Sequence, residues 1–230
     1  MALPKLETPT YELKLPSTEE KIKYRPFLVK EYKILLTALD SDNQEVYKMV
    51  TELVDACTFN KLNVKALPNF DIEYLFIHIR AKSIGENTSL SLECTNCENK
   101  ISFDLDITKA EVKRTPEHTT QIFITEDIGL EMRYPVFSEI AAIYENFNSE
   151  TVVELLCSCI KTVFTKEEQY SDYTKEELID FVNSFSRPQF EKLEKFFVTM
   201  PKISQRVEQV CNKCGTSNEV NLEGLQNFFV

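Results

Sequence analysis

The sequence carries one strand–turn–strand pattern twice, in Leu92-Glu-Cys94-Thr-Asn-Cys97-Glu-Asn-Lys-Ile-Ser-Phe103 and in Val210-Cys211-Asn-Lys-Cys214-Gly-Thr-Ser-Asn-Glu-Val220. A C-x-x-C turn held between two strands is the zinc-knuckle arrangement, in which two thiolates reach one metal ion. Thiolate sulfur suits Zn²⁺, which accepts a tetrahedral sulfur shell. We therefore predict one structural zinc site with the ligands Cys94, Cys97, Cys211 and Cys214.

The two cysteine pairs are unusually far apart, because residues 98 to 210 make 113 intervening positions. Closing a loop costs only ~0.6 kcal/mol per doubling of its length, so the excess over a plain zinc ribbon costs about 1.6 kcal/mol. A structural zinc can contribute ~10–16 kcal/mol, which makes one shared site energetically reasonable. The alternatives are reduced thiols without a metal and a redox-active C-x-x-C. A closed four-thiolate shell has no position for a substrate water, so the site predicts a scaffold and not a catalyst.

Each turn also needs a residue that tolerates a positive φ after its second cysteine. Gly215 meets this need at no steric cost in the second turn. In the first turn the same stretch reads Glu98-Asn99, and asparagine is the more tolerant of the two. We expect Gly215 and Asn99 to be the left-handed residues.

The composition excludes several classes of function. The chain has 26 Lys+Arg and 37 Asp+Glu, a formal charge of 26 − 37 = −11, which disfavours a protein whose main task is to coat phosphates. Its four glycines are scattered and form neither a G-x-G-x-x-G fingerprint nor a P-loop. Two histidines cannot supply a multi-histidine metal centre. We predict no catalytic residues and no enzymatic activity.

The remaining cysteines are interpreted from the expected compartment. The first residues lack a signal-peptide pattern and no window reaches ~18 uninterrupted apolar residues, so we expect the chain to remain in a reducing cytoplasm. Cysteines there are thiols or metal ligands and not disulfides. Cys57, Cys157 and Cys159 are interpreted as small packing residues.

The chain before residue 86 predicts a hairpin followed by helices. Tyr11–Leu15 and Ile22–Phe27 alternate apolar and polar residues around a polar turn. A helical period starts at Leu28, and a second helix is predicted to open at Asp42 with a capping box. Asn69–Ser83 is apolar on all sides, which predicts a buried helix.

The rest of the chain predicts strands, then helices, then strands. The predicted strands are 89–93, 100–107, 121–124, 130–134, 202–210 and 219–222; the predicted helices are 136–147, 151–165, 175–185 and 188–197. No internal tandem array is visible. The expected fold class is α+β: an N-terminal β-hairpin plus helices, and a small β zinc-ribbon-like module split by a helical insertion. The expected domains are residues 1–85, 86–134, 135–200 and 201–230, the last including the C-terminal tail.

Charge is distributed unevenly along the chain. Residues 1–33 hold seven basic and five acidic side chains, a balance of +2, whereas the other residues hold nineteen basic and thirty-two acidic ones, a balance of −13. A slightly basic arm on an acidic body could dock on an acidic neighbour, and a solvated mixed-charge hairpin is an equally good interpretation. The last residues, 225–230, end on Phe-Phe-Val, which either enters the core or docks on a partner.

The sequence resembles the baseplate hub proteins of T-even-type contractile-tailed bacteriophages. The resemblance rests on MALPKLETPTYELKLPSTEEKIKYRPFLVKEYKILL at the N-terminus, on LPNFDIEYLFIHIRAKSIG at residues 67–85, and on the paired C-x-x-C elements. It implies a hub subunit or hub-assembly protein that acts through protein–protein contacts, with no catalytic residues.

That resemblance also implies partners and a location. The implied partners are other phage baseplate hub and tail proteins and, as a further option, a second copy of the chain, with neither membrane nor nucleic acid involved. The implied location is the host cytoplasm during assembly and the virion tail baseplate if the protein is retained. Residues 1–10 and 225–230 are the expected contacts to neighbouring subunits. The alternative function is a zinc-ribbon nucleic-acid-binding or transcription regulatory protein, which the cysteine pairs favour and the net charge disfavours.

Overall fold

The first part of the chain forms a hairpin and three helices, as predicted. The structure, a computed structural model, describes residues 6–38, 43–145 and 148–228. Strands β1 (Tyr11–Lys14) and β2 (Lys21–Tyr24) pair antiparallel, and helices α1 (Val29–Ala38), α2 (Asn43–Cys57) and α3 (Asn69–Ser83) follow. The bounds of α3 are those predicted from its apolar residues, whereas the predicted cap at Asp42 lies outside the described residues.

Helix α3 holds the hairpin turn through a buried carboxylate. Asp71 is fully buried, accepts a hydrogen bond from the backbone N–H of Ser17 at 3.0 Å, and accepts a second one from the Ser17 hydroxyl. Arg114 donates to the carbonyl of Pro16 in the same turn. A buried carboxylate is tolerated only when its oxygens are satisfied, so the turn and α3 depend on each other.

Both cysteine pairs lie in hairpin turns, as predicted. Strands β3 (Asn87–Glu93) and β4 (Lys100–Asp106) form the first hairpin. An additional short strand, β5 (Glu111–Lys113), was not predicted. It pairs with one strand of the second hairpin, which consists of β10 (Lys202–Val210) and β11 (Ser217–Glu223), to give the strand order β11-β10-β5.

The segment between β5 and β10 contains a second sheet. Its strands are β6 (Gln121–Phe123), β7 (Gly129–Met132), β8 (Ile160–Phe164) and β9 (Gln169–Tyr170), in that order. Its helices are α4 (Phe137–Glu145), α5 (Ser149–Ser158), α6 (Lys175–Asn183) and α7 (Arg187–Thr199). Phe137 of α4 packs in the core of the N-terminal elements. Most of the other buried side chains of this segment form one apolar cluster: Ile122, Ile124, Leu130, Met132, Leu156, Cys157, Cys159, Ile160, Leu178, Val182, Leu193 and Phe196.

The predicted helix over residues 151–165 is wrong after residue 158. Helix α5 ends at Ser158, and residues 160–164 form β8 beside β7. The run Ile160-Lys-Thr-Val-Phe164 is rich in β-branched residues, and the open edge of β7 provides its partner. The segment 135–200 is therefore not purely helical, and its sheet joins strands on both sides of the predicted boundary at residue 134. The predicted domain boundaries stay predictions.

The structure contains a repeated unit, which is not a tandem array because residues 58–120 separate its two copies. The first repeat is residues 11–57, and the second repeat is residues 121–159. Each consists of a hairpin, an arginine that follows it and two helices that pack together, and each ends at a cysteine. The octapeptides that end at Cys57 and Cys159, VTELVDAC and VVELLCSC, share Val, Glu, Leu and Cys at the same positions. A repeat this weak in sequence is recognisable only from the matching contacts.

In each repeat, the arginine side chain binds the carboxylate of a glutamate that lies six residues further along the chain. Arg25 Nη2 lies 2.9 Å from Glu31 Oε1, and Arg133 Nη2 lies 2.6 Å from Glu139 Oε1. The second oxygen of each glutamate accepts a hydrogen bond from the backbone N–H at the start of its helix, at 2.8 and 2.9 Å. These bonds lower the pKa of Glu31 and of Glu139 against the effect of burial. Charge-assisted pairs of this kind fix the angle between hairpin and helix.

The backbone of the same arginine closes each repeat. The N–H of Arg25 donates to the carbonyl of Cys57 at 2.9 Å, and the N–H of Arg133 donates to the carbonyl of Cys159 at 2.7 Å. Each bond ties the end of the second helix to the edge of the hairpin. The two repeats therefore end with the same backbone hydrogen bond. The chain takes a different path after Cys57 than after Cys159.

The C-terminal tail enters the core of its own chain. A single turn of 3₁₀ helix, Leu225–Phe228, places Phe228 at 0% exposure among the residues between α3 and the β10 sheet. Glu73 on α3 accepts a hydrogen bond from the backbone N–H of Leu225 at 3.1 Å. Phe228 is therefore buried in the core of its own chain, contact of this tail with a neighbour stays a prediction, and residues 229–230 lie outside the described chain. Among the described residues, no helix is both long enough and apolar enough to cross a membrane.

The buried Glu73 makes the stability of the fold depend on pH. Burial raises the pKa of Glu73 to about 7, against the hydrogen bonds from Leu225 and Asn69 that lower it. The folded chain then binds this proton more tightly than the unfolded chain, so stability falls as pH rises between about 4.5 and about 7. We expect Glu73→Gln, which keeps an oxygen for Leu225, to remove up to about 3 kcal/mol of this loss.

The measurement is the free energy of urea unfolding for the wild type and the variant at about pH 4.5 and about pH 8. The exposed carboxylate variant Glu117→Gln serves as the control and should follow the wild type at both pH values. Parallel pH profiles for the wild type and Glu73→Gln would rule out this role of the buried proton.

Candidate metal centre

The two hairpin turns bring all four predicted cysteines together. Their sulfur atoms lie within 4.8 Å of one another, with Cys94 Sγ 3.6 Å from Cys214 Sγ and Cys97 Sγ 3.7 Å from Cys211 Sγ. These distances exceed the ~2.05 Å of a disulfide bond, and all four are free thiols. Cys94 and Cys211 are buried, Cys97 is half-buried and Cys214 is exposed. The cluster therefore lies near the surface, at the tip of both hairpins.

The two turns have the same backbone geometry. In the first, the N–H of Cys94 donates to the carbonyl of Asn99 and the N–H of Glu98 donates to the carbonyl of Cys94, both at 2.9 Å. In the second, Cys211 and Gly215 make the equivalent bonds at 2.8 and 2.9 Å. Such doubly bonded turns hold each cysteine pair rigidly toward the other hairpin.

The left-handed residue of the first turn is Glu98 and not Asn99, so that expectation is wrong. Glu98 has φ 56°, and Gly215 at the equivalent place has φ 73°, as predicted. The position is set by the hydrogen bond back to the first cysteine, which both residues donate. The turn geometry therefore outweighs the residue preference and imposes a strained conformation on a glutamate.

Two asparagines connect one turn to the other, and sequence reasoning did not identify either role. The buried Asn218 accepts hydrogen bonds from the N–H and the hydroxyl of Thr95, at 2.9 and 3.0 Å, and places its Nδ2 3.6 Å from Cys94 Sγ. Asn99 donates to Asn212 Oδ1 at 2.9 Å and lies 3.9 Å from Cys211 Sγ. Their position within five residues of a cysteine pair is the only signal in the sequence.

The thiols of the cluster differ in pKa, so their sulfur atoms differ in how readily they become negatively charged. Hydrogen bonds from the Thr216 hydroxyl and backbone N–H lower the pKa of Cys214 to about 5. The Asn99 N–H favours the Cys97 thiolate, but hydrogen bonding to Cys214 and burial outweigh it and raise the pKa of Cys97 to about 12. Four negative sulfurs this close repel one another strongly, so full ionisation of the cluster requires a cation among them.

The geometry fits a tetrahedral four-sulfur metal site. With Zn–S bonds of about 2.3 Å, the sulfurs of a tetrahedral shell lie about 3.8 Å apart. Two of the sulfur pairs, at 3.6 and 3.7 Å, are near this value. The cluster can therefore hold a metal ion whose ligands are all thiolates, a donor set that favours zinc or iron over magnesium or calcium.

The other three cysteines are packing residues, as predicted. Cys57, Cys157 and Cys159 are buried in apolar clusters, and burial raises the pKa of each to about 11, 11 and 12 respectively. High pKa values make these thiols poor metal ligands and poor nucleophiles. The cysteine chemistry of the described chain is thus concentrated in the four-sulfur cluster.

A comparison with known families assigns nearly the whole chain. Residues 8–230 match the sequence profile of a family described as T4 bacteriophage base plate protein. The match includes both cysteine-bearing hairpins and both repeats. No curated protein and no solved structure matches the chain.

The two turns make a matched pair for testing backbone strain. We expect Glu98→Gly to stabilise the protein by about 0.5–1 kcal/mol, because glycine adopts the positive φ without strain. Gly215→Ala should destabilise it by about the same amount, because no neighbouring atom lies within 4 Å of the added Cβ and the cost comes from φ alone. Denaturant midpoints of both variants check this, and equal signs for the two changes would contradict it.

Proposed function

This chain belongs to the T4 bacteriophage base plate protein family, and we propose that it is a structural or assembly subunit of the base plate hub of a contractile-tailed phage. The observation that carries the proposal is the family match over residues 8–230, which establishes a phage structural role. The placement in the hub is supported by the resemblance of residues 1–36 and 67–85 to hub proteins. As a base plate family member, the chain is a component of the virion tail and interacts with other base plate proteins.

The proposed mode of action is scaffolding and not catalysis. The base plate is built from protein–protein contacts, and the family role is structural. The proposed partners are other hub and tail proteins, with a second copy of the chain as a further candidate, and the proposed site of assembly is the host cytoplasm. Residues 1–10 remain a candidate contact, because most of the described ones among them are exposed, with Leu6 at 93%.

We propose further that Cys94, Cys97, Cys211 and Cys214 hold a structural zinc ion. Bound there, zinc would neutralise the thiolates and fasten the two hairpins together. Apart from such a metal, the hairpins contact each other through the polar bonds that the two asparagines make between the turns, through a bond from Gln205 to the carbonyl of Asp106, and through a shared apolar cluster that includes Leu90 and Val207. Rigid hairpins would in turn keep the neighbouring segments in one arrangement for assembly.

The hub placement is tested by locating the chain in assembled tails. We expect cryo-EM of base plates from cells producing a tagged chain to show its density on the tail axis. Density at the periphery would contradict a hub role. A chain missing from finished tails but needed for their assembly would mark an assembly factor, and one that is both missing and dispensable would refute both roles.

The zinc proposal is tested by metal analysis and unfolding. We expect about one zinc ion per chain in protein purified without chelators, and we expect Cys211→Ser to lose this zinc and more than about 3 kcal/mol of unfolding free energy. Cys157→Ser, which changes a buried thiol outside the cluster, is the control and should keep the zinc. Wild-type protein free of metal, with four titratable thiols in the cluster, would disprove the site.

A further inference from the structure

The hairpin of the first repeat leaves the outer edge of β2 without a strand partner in the described chain. Because the N–H of Leu15 donates to the carbonyl of Glu20, the hydrogen-bonded pairs of this hairpin are Leu13–Ile22 and Tyr11–Tyr24. The backbone N–H and C=O groups of Lys21 and Lys23 therefore point away from β1. Within the described chain, β2 pairs with no strand other than β1.

The corresponding edge of the second repeat is covered by the same chain. Gly129 and Glu131 of β7 stand where Lys21 and Lys23 stand on β2, counted back from Arg133 and Arg25. Strand β8 pairs with both of them, with Phe164 opposite Gly129 and Thr162 opposite Glu131. The ladder starts at the hydrogen bond from Arg133 to Cys159, one residue before β8 begins.

In the first repeat the same ladder starts and then stops. The bond from Arg25 to Cys57 is present, but the next residues leave the edge. Phe59 and Asn60 have φ values of 64° and 54°, and the N–H of Asn60 donates back to the carbonyl of Asp55 at 2.9 Å. This left-handed turn caps α2 and takes the chain away from β2, so the position of a third strand is left open.

The charges of the two edges are reversed. Glu131 forms a 2.9 Å ion pair with Lys161 on the added strand β8. Within the part of the chain that the structure describes, its counterpart Lys23 forms an ion pair only with Glu12 of β1, at 3.6 Å, and the two side chains are 67% and 58% exposed. An exposed pair contributes little, so Lys23 can bind another carboxylate at small cost. A strand added to β2 is therefore expected to carry an acidic residue where β8 carries a lysine.

We propose that the free edge of β2 binds an extended acidic segment of another base plate protein, which adds as an antiparallel third strand. The segment takes the place that β8 takes in the second repeat, with apolar residues beside Ile22 and Tyr24 and a carboxylate facing Lys23. Backbone hydrogen bonds supply the affinity, and the alternating side chains supply the specificity. This partner class rests on the proposed function.

Two proline variants test the backbone part of the proposal. Proline at 23 removes an outward N–H without removing a bond to β1, and proline at 12 does the same on the outer edge of β1. We expect Lys23→Pro to reduce the amount of chain in purified base plates at least tenfold, and Glu12→Pro to leave it within twofold of the wild type. Thermal unfolding of both variants is measured alongside to confirm that they fold.

Two charge variants keep the test independent of proline strain. Lys23→Glu should reduce incorporation and Lys23→Arg should retain it. In wild-type base plates, amide hydrogen exchange at residues 21 and 23 should be at least tenfold slower than in the free chain.

Three results would overturn the proposal. The first is normal incorporation of both Lys23→Pro and Lys23→Glu. The second is unprotected amides at 21 and 23 in base plates, which would mean that the lysines merely protect the edge from pairing. The third is protection that already appears in the isolated chain at high concentration, which would assign the edge to a second copy. Wild-type chain that is both missing from base plates and dispensable for their assembly would instead refute the proposed function itself, so the two failures are distinguishable.

Discussion

The closure of four sulfur atoms within 4.8 Å is the constraint on which the arrangement of the chain depends. It joins turns more than a hundred residues apart, a separation that would cost little entropy even for an unstructured loop. The structure reduces that cost further, because the long excursion leaves and returns side by side: Lys113 of β5 pairs with Lys202 of β10. The second repeat and its sheet are therefore an insertion at one edge of the cysteine-bearing sheet.

Helix α3 is the second element on which the fold depends. Although it is mostly apolar, two of its acidic residues accept hydrogen bonds from the backbone of neighbouring segments. Asp71 holds the turn of the N-terminal hairpin, and Glu73 holds the start of the C-terminal turn. Both carboxyls are buried, and burial raises the pKa of each. The N-terminal hairpin and the C-terminal turn are thus fixed to the same helix by buried carboxyl groups.

The two repeats use the same set of contacts but complete their sheets differently. An arginine–glutamate pair sets the angle between hairpin and helix in both copies, and a cysteine carbonyl closes both. After that point the second copy continues as a strand and completes its own sheet, whereas the first turns away. In a protein that acts through contacts with other base plate subunits, an incomplete sheet edge is a natural place for one of those contacts.

The sequence by itself determined the features that depend on local patterns. Periodicity and capping residues gave the N-terminal hairpin, α3 over Asn69–Ser83 and the hairpins around the cysteines, and ligand spacing identified the four cysteines that meet. Only the tertiary structure decided features that depend on distant partners. Residues 160–164 form a strand because β7 is beside them, Phe228 is buried because α3 and β10 enclose it, and Glu98 is left-handed because its N–H must reach Cys94. A residue's own preference is worth about 1 kcal/mol or less, and contacts made across the fold outweigh it.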